Sequence, residues 1–332
     1  MDSSCKVKVS VLVPVYNVEQ FLPRCLDSLI AQTLRDIEIV CVNDASPDNS
    51  AAILADYAAR DPRIRVITKT NNEGSMKARA TAYENARGEY LFFCDSDDYL
   101  PVNALESLYS YAIESQTKPD LIVGNMSLVN PNGRTILRNR ASQIGTSAES
   151  YLKALLHWTT PSLCGTLFKL QLFSSAQLTS IPNITQSEDR LLLTDLLLKL
   201  DPSIQPINEN VYYYWQNDSS ITRRKITPTM AINQFTTLFM CHSMIETHRP
   251  KLHYDNNNFI IRYLSLYIEK GVDKNLLINF NDTSRQLLTF SEMIKYVGLR
   301  MAIHTTSCIY LPGYRPFMHG IRKIIRKIQG KD

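Results

Sequence analysis

The sequence predicts an α/β fold built on a mostly parallel sheet with helices on both faces. Short apolar segments rich in β-branched residues recur through the first hundred residues, and segments with helical periodicity alternate with them. Four such alternations imply parallel strands joined by right-handed crossovers. Ligands of these sheets bind beyond the carboxyl ends of the strands, so the polar segments that follow the strands should gather at one rim.

The elements of this first half follow in order along the chain. Residues 9–15 have the composition of a strand buried on both faces. We expect Asn17 to cap the next helix, in which Phe21, Cys25 and Leu29 fall on one stripe. Further strands are expected over 37–42, 64–68 and 90–94. Helices are expected through 53–57 and over 76–85, with Gly88 ending the second.

The pattern changes after residue 120. Segments 120–129 and 135–137 predict two strands joined by the turn Asn130-Pro-Asn-Gly133. A leucine-rich helix is expected over 187–200, with Thr185 and Glu188 at its capped start, and an aromatic strand over 210–215. Helical periodicity with few catalytic residue types follows. We therefore predict a catalytic domain over 1–225 and a helical region over 226–332.

Composition and motifs limit the function classes. Hydrophobic residues make up 44% and charged residues 20% of the 332, as in soluble globular proteins, and the net charge of +4 is too small to predict a nucleic-acid partner. The seven cysteines are scattered without a CxxC pair, so we expect reduced thiols and no zinc site. Without a secretory signal or a long apolar run, a cytoplasmic location is expected. Dinucleotide, P-loop, GxSxG and HExxH motifs are absent.

The strongest candidate for chemistry is Asp95-Ser-Asp-Asp98 at the end of a predicted buried strand. In an extended chain residues i and i+2 point to the same side, so Asp95 and Asp97 are expected to face one ligand. Close carboxylates repel each other unless a cation or separate donors intervene. Because Mg²⁺ and Mn²⁺ favour oxygen ligands and substrate phosphates, this segment predicts a metal and diphosphate site. The alternative is a helix-capping turn before Leu105.

Three other residues are candidates, each with a structural alternative. Asp44 follows the second strand and is placed either to accept hydrogen bonds from a nucleobase or ribose, or to form an Asx turn with the next loop. Arg79 is placed to bind a phosphate or to pin Asp95, or else forms a surface ion pair. Asp189 is either a general base or an acid stabilised by the dipole of its helix.

Residues 7–115 resemble the inverting glycosyltransferases of family 2, which have the GT-A fold. Four segments carry the resemblance, in the order of the family: Val13-Pro-Val-Tyr-Asn17, Val42-Asn-Asp-Ala-Ser-Pro-Asp-Asn-Ser50, Asn72-Glu-Gly74 with Ala78-Arg79, and Gly88-Glu-Tyr-Leu-Phe-Phe-Cys-Asp-Ser-Asp-Asp-Tyr99. The pair Glu188-Asp189 and the segment 212–222 extend it more loosely to about residue 222.

The resemblance implies transfer of a sugar, with inversion, from a nucleotide sugar to a hydroxyl of a glycan or lipid-linked glycan, as in bacterial surface polysaccharide synthesis. It implies a uridine diphosphate donor and Mn²⁺ or Mg²⁺ as cofactor. The residues it implies are Pro14, Val15, Tyr16, Asp44, Asn72, Arg79, Asp95 and Ser220 for the donor, Asp97 for the metal and Asp189 for the base.

One position departs from the family pattern. Relatives often carry an Arg five residues before the Ser of a loop that meets the diphosphate. That Ser would be Ser220 here, and Trp215 stands five residues before it. Either Arg223 or Arg224 supplies the charge, or the loop binds differently. Trp215 is then a core residue of its strand, or a surface on which the sugar or the acceptor stacks.

Two rival functions share this sheet. A nucleotidyltransferase would need a Gly-rich loop with a basic residue after the first strand, which the chain lacks. A non-catalytic module that binds nucleotide sugars would be expected to have lost an acid among Asp95, Asp97 and Asp189, and all three are present.

The end of the chain predicts a basic amphipathic helix over 317–329. Its apolar residues lie on one side of a helical wheel and its Lys and Arg residues on the other, and 315–332 contains six Lys or Arg and one Asp. Such a helix suits the surface of an anionic bilayer, so we expect peripheral binding to the inner face of the cell membrane. The alternative is a helix packed on the catalytic domain.

Overall fold

The computed structural model describes residues 7–116, 118–157, 162–174, 178, 187–216 and 227–252. The chain divides into two compact units, Met1–Arg224 and Lys225–Asp332. Because the first unit contains the sheet and every described candidate residue, it is the unit that positions the site.

Four parallel strands form the first half of the sheet: β1 (Val9–Val15), β2 (Ile37–Asn43), β3 (Ile64–Thr68) and β4 (Tyr90–Phe93). The helices between them are α1 (Leu22–Ile30), α2 (Ser50–Arg60) and α3 (Ser75–Glu84). β1 pairs with β2 on one side and with β4 on the other, and β3 pairs with β2. The predicted alternation is confirmed, and the strand order changes direction at β1, where such sheets bind ligands.

The second half adds α4 (Ala104–Glu114), β5 (Leu121–Val129), β6 (Thr135–Arg138), α5 (Ala148–Leu156), β7 (Thr166–Lys169), α6 (Glu188–Leu200) and β8 (Ile204–Trp215). β7 lies between β4 and β5 and is antiparallel to both. β5 and β6 form the predicted hairpin, and β8 runs parallel to β5. Tyr213 near the end of β8 forms an antiparallel bridge with Tyr99, so the last residues of β8 lie near the turn that follows β4.

The core is made by the apolar faces that the sequence pattern indicates. All seven residues of β2 and all four of β4 are buried, as expected for strands covered on both faces. From α1, Leu22, Leu26 and Leu29 are fully buried, each worth about 1.5–3 kcal/mol of hydrophobic stabilisation. Cys25 lies on the same face, with its sulfur 3.9 Å from that of Cys94. The described cysteines are free and buried, as expected.

The prediction that Asn17 caps α1 is wrong. The helix begins at Leu22 after Phe21, without a side-chain cap, and Asn17 has a φ of 53° in the preceding loop. The backbone N–H of Asn17 donates to the Ser46 hydroxyl at 3.3 Å. The loops after β1 and β2 are therefore hydrogen-bonded to each other at this position.

The prediction that Gly88 ends α3 is also wrong. The helix ends at Glu84, with Asn85 following, and Gly88 packs against β1. A Cβ on Gly88 would lie 2.6 Å from the backbone nitrogen of Ser10. Glycine at this position permits the close approach of the chain to β1 just before β4 begins.

Of the second unit, the structure describes α7 (Pro228–His248), whose first turn is capped by the hydroxyl of Thr227. The predicted helix 317–329 and the predicted cap residue Thr185 lie outside the described residues. Ser187, which precedes α6, is left-handed with a φ of 63° and makes no side-chain cap. No helix in the described part of the chain is long and apolar enough to span a membrane.

Candidate active site

The loops after β1 and β2 and the loop before α3 meet at the carboxyl ends of the strands. The Asp44 carboxylate accepts hydrogen bonds from the backbone N–H groups of Glu73 (3.1 Å) and Gly74 (2.7 Å), and its side chain is buried. The alternative of an Asx turn at Asp44 is not what the structure has, and the loop is instead capped by Asn43, whose side-chain oxygen accepts from the Ser46 N–H at 3.0 Å. Asp44 thus fixes the loop that precedes α3.

The other predicted nucleoside-binding residues lie along the same rim. Pro14 and Val15 end β1, with Val15 buried and Pro14 half-buried. Tyr16 follows them and is 46% exposed, which is unusual for so large a side chain in this otherwise buried part of the fold. Asn72 is exposed in the loop that Asp44 holds. The four residues border one open edge of the sheet, and their role with a donor remains a prediction.

Arg79 joins two acidic segments that are far apart in sequence. Its Nη1 lies 2.7 Å from Oδ1 of Asp189 and its Nη2 lies 2.7 Å from Oδ1 of Asp95, while its own side chain is only 5% exposed. Burial alone would lower the pKa of the Arg79 guanidinium, but the charges of Asp189 and Asp95 outweigh burial and raise it. A surface ion pair is therefore excluded, and Arg79 bonds to Asp95, which is one of the alternatives that the sequence left open.

The two acids that begin α6 have different surroundings. Asp189 accepts from Arg79 through one oxygen and from the backbone N–H of Leu163, at 3.1 Å, through the other. Glu188 accepts from the Ser75 hydroxyl at 3.1 Å. Burial and then the neighbouring charge of Asp189 raise the pKa of Glu188. Sequence reasoning singled out Asp189 and missed the separate environment of Glu188.

The acidic segment after β4 is a turn, which corrects the expectation of an extended chain. The Asp98 N–H donates to the Asp95 carbonyl at 3.1 Å, so Asp95 and Asp97 are not related as alternate residues of a strand. The Asp95 carboxylate instead bonds to Arg79, and Asp97 is half-buried beside it. The alternative of a capping turn is excluded, because α4 begins at Ala104, well beyond these acids.

Asp98 is the member of this turn whose role the sequence did not indicate. It is fully buried and accepts from the Tyr212 hydroxyl and from the Trp215 backbone N–H, both at 2.7 Å. The Tyr212 hydroxyl also accepts from the Asp95 N–H at 3.0 Å. Burial, followed by the charges of Asp97 and Asp95, raises the pKa of Asp98. Asp98 thus ties the end of β8 to the acidic turn.

Trp215, where the family pattern has Arg, packs on an arginine from α1. The Arg24 guanidinium lies 4.1 Å from the centre of the Trp215 ring and 4.5 Å from that of Tyr99. Its Nη2 donates to the carbonyl oxygen of Asp97 at 2.9 Å. We call these three side chains the arginine clamp. Ser220, Arg223 and Arg224 lie outside the described residues.

The chemistry of the acidic turn can be compared with the prediction of a divalent cation. Among the described residues, no group of three or more His, Cys, Asp or Glu could hold a metal ion. Oxygen donors dominate the acidic turn, and Mg²⁺ or Mn²⁺ is commonly held by one or two carboxylates together with substrate phosphates. The Asp95 carboxylate bonds to Arg79 and that of Asp98 to Tyr212, and Asp97, the residue that the family resemblance implies for the metal, is half-buried in the same turn.

Sequence comparisons relate the chain to bacterial proteins. Residues 10–175 match the profile of the family "Glycosyl transferase family 2". The chain is 34% identical over 231 residues to the "Uncharacterized glycosyltransferase EpsJ" of Bacillus subtilis (67% of this chain, 65% of that one). It is 32% identical over 215 residues to the "Poly(ribitol-phosphate) beta-glucosyltransferase" of Bacillus spizizenii (64% of this chain, 33% of that one). The chain thus matches less than two thirds of either relative's length.

Among solved structures, the fold is similar to that of residues 1–349 of TarS from S. aureus in complex with UDP. The TM-score is 0.57 at 20% sequence identity, and the similarity covers 95% of this chain and 87% of that one. The complex of the same protein with UDP-GlcNAc gives the same TM-score at 19% identity, covering 93% and 92% of the two chains. This likeness confirms the GT-A fold class.

Proposed function

The chain belongs to glycosyl transferase family 2, and we propose that it is a glycosyltransferase that moves a sugar, with inversion, from a UDP-sugar to a hydroxyl of an acceptor glycan. The observation that carries the proposal is the pair of hydrogen bonds made by Arg79. One goes to Asp95, the acid on the donor side, and the other to Asp189, the candidate base, so that a single side chain links the two acids. A rival nucleotidyltransferase would need a Gly-rich basic loop after β1, which the sequence lacks.

The donor site in this proposal follows the rim of the sheet. The uracil and ribose lie against the end of β1 at Tyr16 and against the loop of Asn72, with Asp44 holding that loop. Asp95 faces the ribose, and its backbone and side chain are fixed by Tyr212 and Arg79 respectively. The complexes of TarS with UDP and with UDP-GlcNAc support a uridine donor.

The proposed reaction is one displacement at the anomeric carbon. Asp189 takes the proton of the acceptor hydroxyl as that oxygen attacks the anomeric carbon, and the bond from this carbon to the diphosphate oxygen breaks. Attack from the side opposite the diphosphate inverts the configuration. The hydrogen bonds to Arg79 and to the Leu163 N–H fix the orientation of the carboxylate, which favours a reproducible approach of the acceptor.

The proposal includes Mn²⁺ or Mg²⁺ held through Asp97. Such an ion, when bound with the donor, would stabilise the negative charge that develops on the departing diphosphate. The chain's own contribution is to present Asp97 in a turn whose conformation is fixed by the Asp95 and Asp98 contacts.

We also propose that the acceptor is a glycan or lipid-linked glycan of bacterial cell-surface polymer synthesis. The name of one relative, the "Poly(ribitol-phosphate) beta-glucosyltransferase", supports a polymer acceptor, and the chain matches 33% of the length of that protein. Binding of the basic segment 315–332 to the inner face of the membrane would bring the enzyme to lipid-linked substrates.

A panel of nucleotide sugars tests the proposal. We expect one UDP-sugar to be turned over in the presence of Mn²⁺ or Mg²⁺ and to raise the melting temperature of the chain. Asp97→Asn should lower turnover by about 10²-fold or more, as removal of one group that stabilises transition-state charge does in other enzymes, and should leave the fold intact. Full turnover in this variant, or in the wild type with a chelator, would refute the metal assignment.

A second experiment tests the base. Asp189→Asn should leave donor affinity close to that of the wild type and lower turnover, because a general base contributes only on the way to the transition state. Loss of donor binding with turnover per bound donor unchanged would instead make Asp189 a structural residue.

Vesicle co-sedimentation tests the membrane proposal. The full chain should bind anionic vesicles, more weakly as salt is added, and a chain that ends near Tyr314 should not. Equal binding by the two chains, or no binding by the full chain, would contradict it.

A further inference from the structure

Arg24 of α1 carries a positive charge into the acidic turn without an acidic partner of its own. Its guanidinium is stacked between the rings of Tyr99 and Trp215 and donates to the Asp97 carbonyl at 2.9 Å. Within the described part of the chain, no carboxylate lies within ion-pair distance of it, although three acids occupy residues 95–98. Stacking, rather than an ion pair, therefore holds this charge in place.

The donors of this guanidinium are only partly used. Nη2 donates once, to Asp97, while Nε is buried without an acceptor and Nη1 has none among the described residues. The clamp is also rigid, because the Trp215 backbone donates to Asp98 and the Tyr99 ring stacks on Tyr213 at 4.8 Å. Because Nε is buried, Nη1 is the donor through which this fixed, planar cation can bind a phosphate oxygen.

The position of Arg24 beside Asp97 indicates which phosphate group of the donor it contacts. Arg24 bonds to the backbone of Asp97, the residue proposed to hold the metal that the donor's diphosphate shares. We propose that Arg24 binds the terminal phosphate of the donor's nucleoside diphosphate, and that Trp215 and Tyr99 hold it there. Relatives often carry an Arg where this chain has Trp215. In the proposed site, Arg24 of α1 supplies that positive charge instead. This inference rests on the proposed function and extends it to a further donor-binding residue.

The test compares ligands that differ by one phosphate. Isothermal titration in the presence of Mn²⁺ gives the affinities of UDP, UMP and inorganic pyrophosphate for the wild type and for Arg24→Gln. Loss of one charge-assisted hydrogen bond should weaken UDP and pyrophosphate about tenfold or more and UMP less than twofold. Arg24→Lys should be intermediate, because it keeps the charge and loses the planar stack.

Two further variants isolate the clamp. Trp215→Phe keeps a ring for stacking and should bind UDP almost as the wild type does, whereas Trp215→Ala should weaken UDP as Arg24→Gln does. Arg60→Gln is the matched control: Arg60 also stacks on a ring, that of Tyr57, at 4.3 Å, but it ends α2 and so lies toward the amino ends of the strands. Its affinities should equal those of the wild type.

The outcomes separate this inference from its rivals. Unchanged UDP and pyrophosphate affinity in Arg24→Gln would overturn it, and so would an equal loss for UDP and UMP together with a lower melting temperature, which is the result expected of a merely structural clamp. Normal UDP affinity with a raised KM for a phosphate-bearing acceptor would assign Arg24 to the acceptor instead. If the wild type binds pyrophosphate but no uridine nucleotide, the uridine assignment fails while the pyrophosphate comparison still decides Arg24. If it binds neither, both proposals fail.

Discussion

Replacement of Arg79 by Met should destabilise the first unit strongly, because it leaves two carboxylates without their shared partner. Arg79 and Asp189 are 5% and 19% exposed, and loss of one partner of a buried pair costs about 3–5 kcal/mol. Asp95 is 36% exposed, so solvent screens its pair and limits its share to about 1 kcal/mol or less. We therefore expect a loss of about 4 kcal/mol in the free energy of unfolding.

Urea unfolding followed by circular dichroism measures this loss. For a unit of the size of Met1–Arg224, a loss of about 4 kcal/mol corresponds to a fall in melting temperature of about 10 °C. Arg60→Met provides the control, because Arg60 is 57% exposed and its ion pair should contribute less than about 1 kcal/mol.

A double-mutant cycle identifies the cause. Asp189→Asn removes the charge that Arg79→Met leaves unpaired, so the double variant should be less destabilised than the sum of the single variants, by about 2 kcal/mol. If the two losses add, or if Arg79→Met costs less than about 1 kcal/mol, the unpaired-charge reasoning is wrong.

Three other substitutions test individual contacts in the first unit. The raised pKa of Glu188 means that its contribution to stability is present below its unfolded pKa, about 4.3, and is lost as the pH rises through its folded pKa. Glu188→Gln should therefore gain melting temperature relative to the wild type between pH 4 and pH 8, and a difference that is independent of pH would contradict this. Gly88→Ala should lose about 1–3 kcal/mol in urea unfolding, because its Cβ would lie 2.6 Å from a backbone nitrogen, and a loss below 0.5 kcal/mol would contradict the close packing. Tyr212→Phe should lower the free energy of unfolding by about 1–3 kcal/mol, because it removes a hydrogen bond to the buried carboxylate of Asp98. Tyr213→Phe serves as its comparison in the same urea unfolding and should lower the free energy less.

The first half of the fold was predictable from sequence because its signals are local. β1 and β3 have the predicted bounds, and the other two parallel strands differ from them by one residue at their ends. Apolar runs, helical periodicity and turn residues each act within about ten positions, so a short window contains the whole signal. The same holds for the hairpin at Asn130-Pro-Asn-Gly133.

The errors concern positions whose conformation depends on distant segments. Asn17 was expected to cap α1, but its backbone bonds to Ser46, in the loop after the next strand. Gly88 was expected to end α3, but it packs on Ser10, 78 residues earlier in the sequence. A local window contains no information about these neighbours, so it assigns to each residue the commonest role of its type.

The candidate site shows the same division between what is local and what is not. The place of Asp95 and Asp97 at a strand end is visible in the sequence, and so is the possibility that Arg79 pairs with Asp95. The contact of Asp98 with Tyr212 spans 114 residues, and that of Arg24 with Trp215 joins the first helix to the last strand of the sheet. No spacing rule predicts such pairs, which depend on β8 lying beside β5.

These long-range contacts determine how each carboxylate of residues 95–98 is bonded. Asp95 is paired with Arg79, and Asp98 is buried with its carboxylate bonded to Tyr212 and its pKa raised. Asp97 is then the carboxylate of this turn to which the proposal assigns the cation, and a single carboxylate binds Mg²⁺ or Mn²⁺ weakly unless phosphate oxygens complete the coordination. In the proposed enzyme, metal and donor should accordingly bind together rather than in succession, because each supplies what the other lacks at this rim.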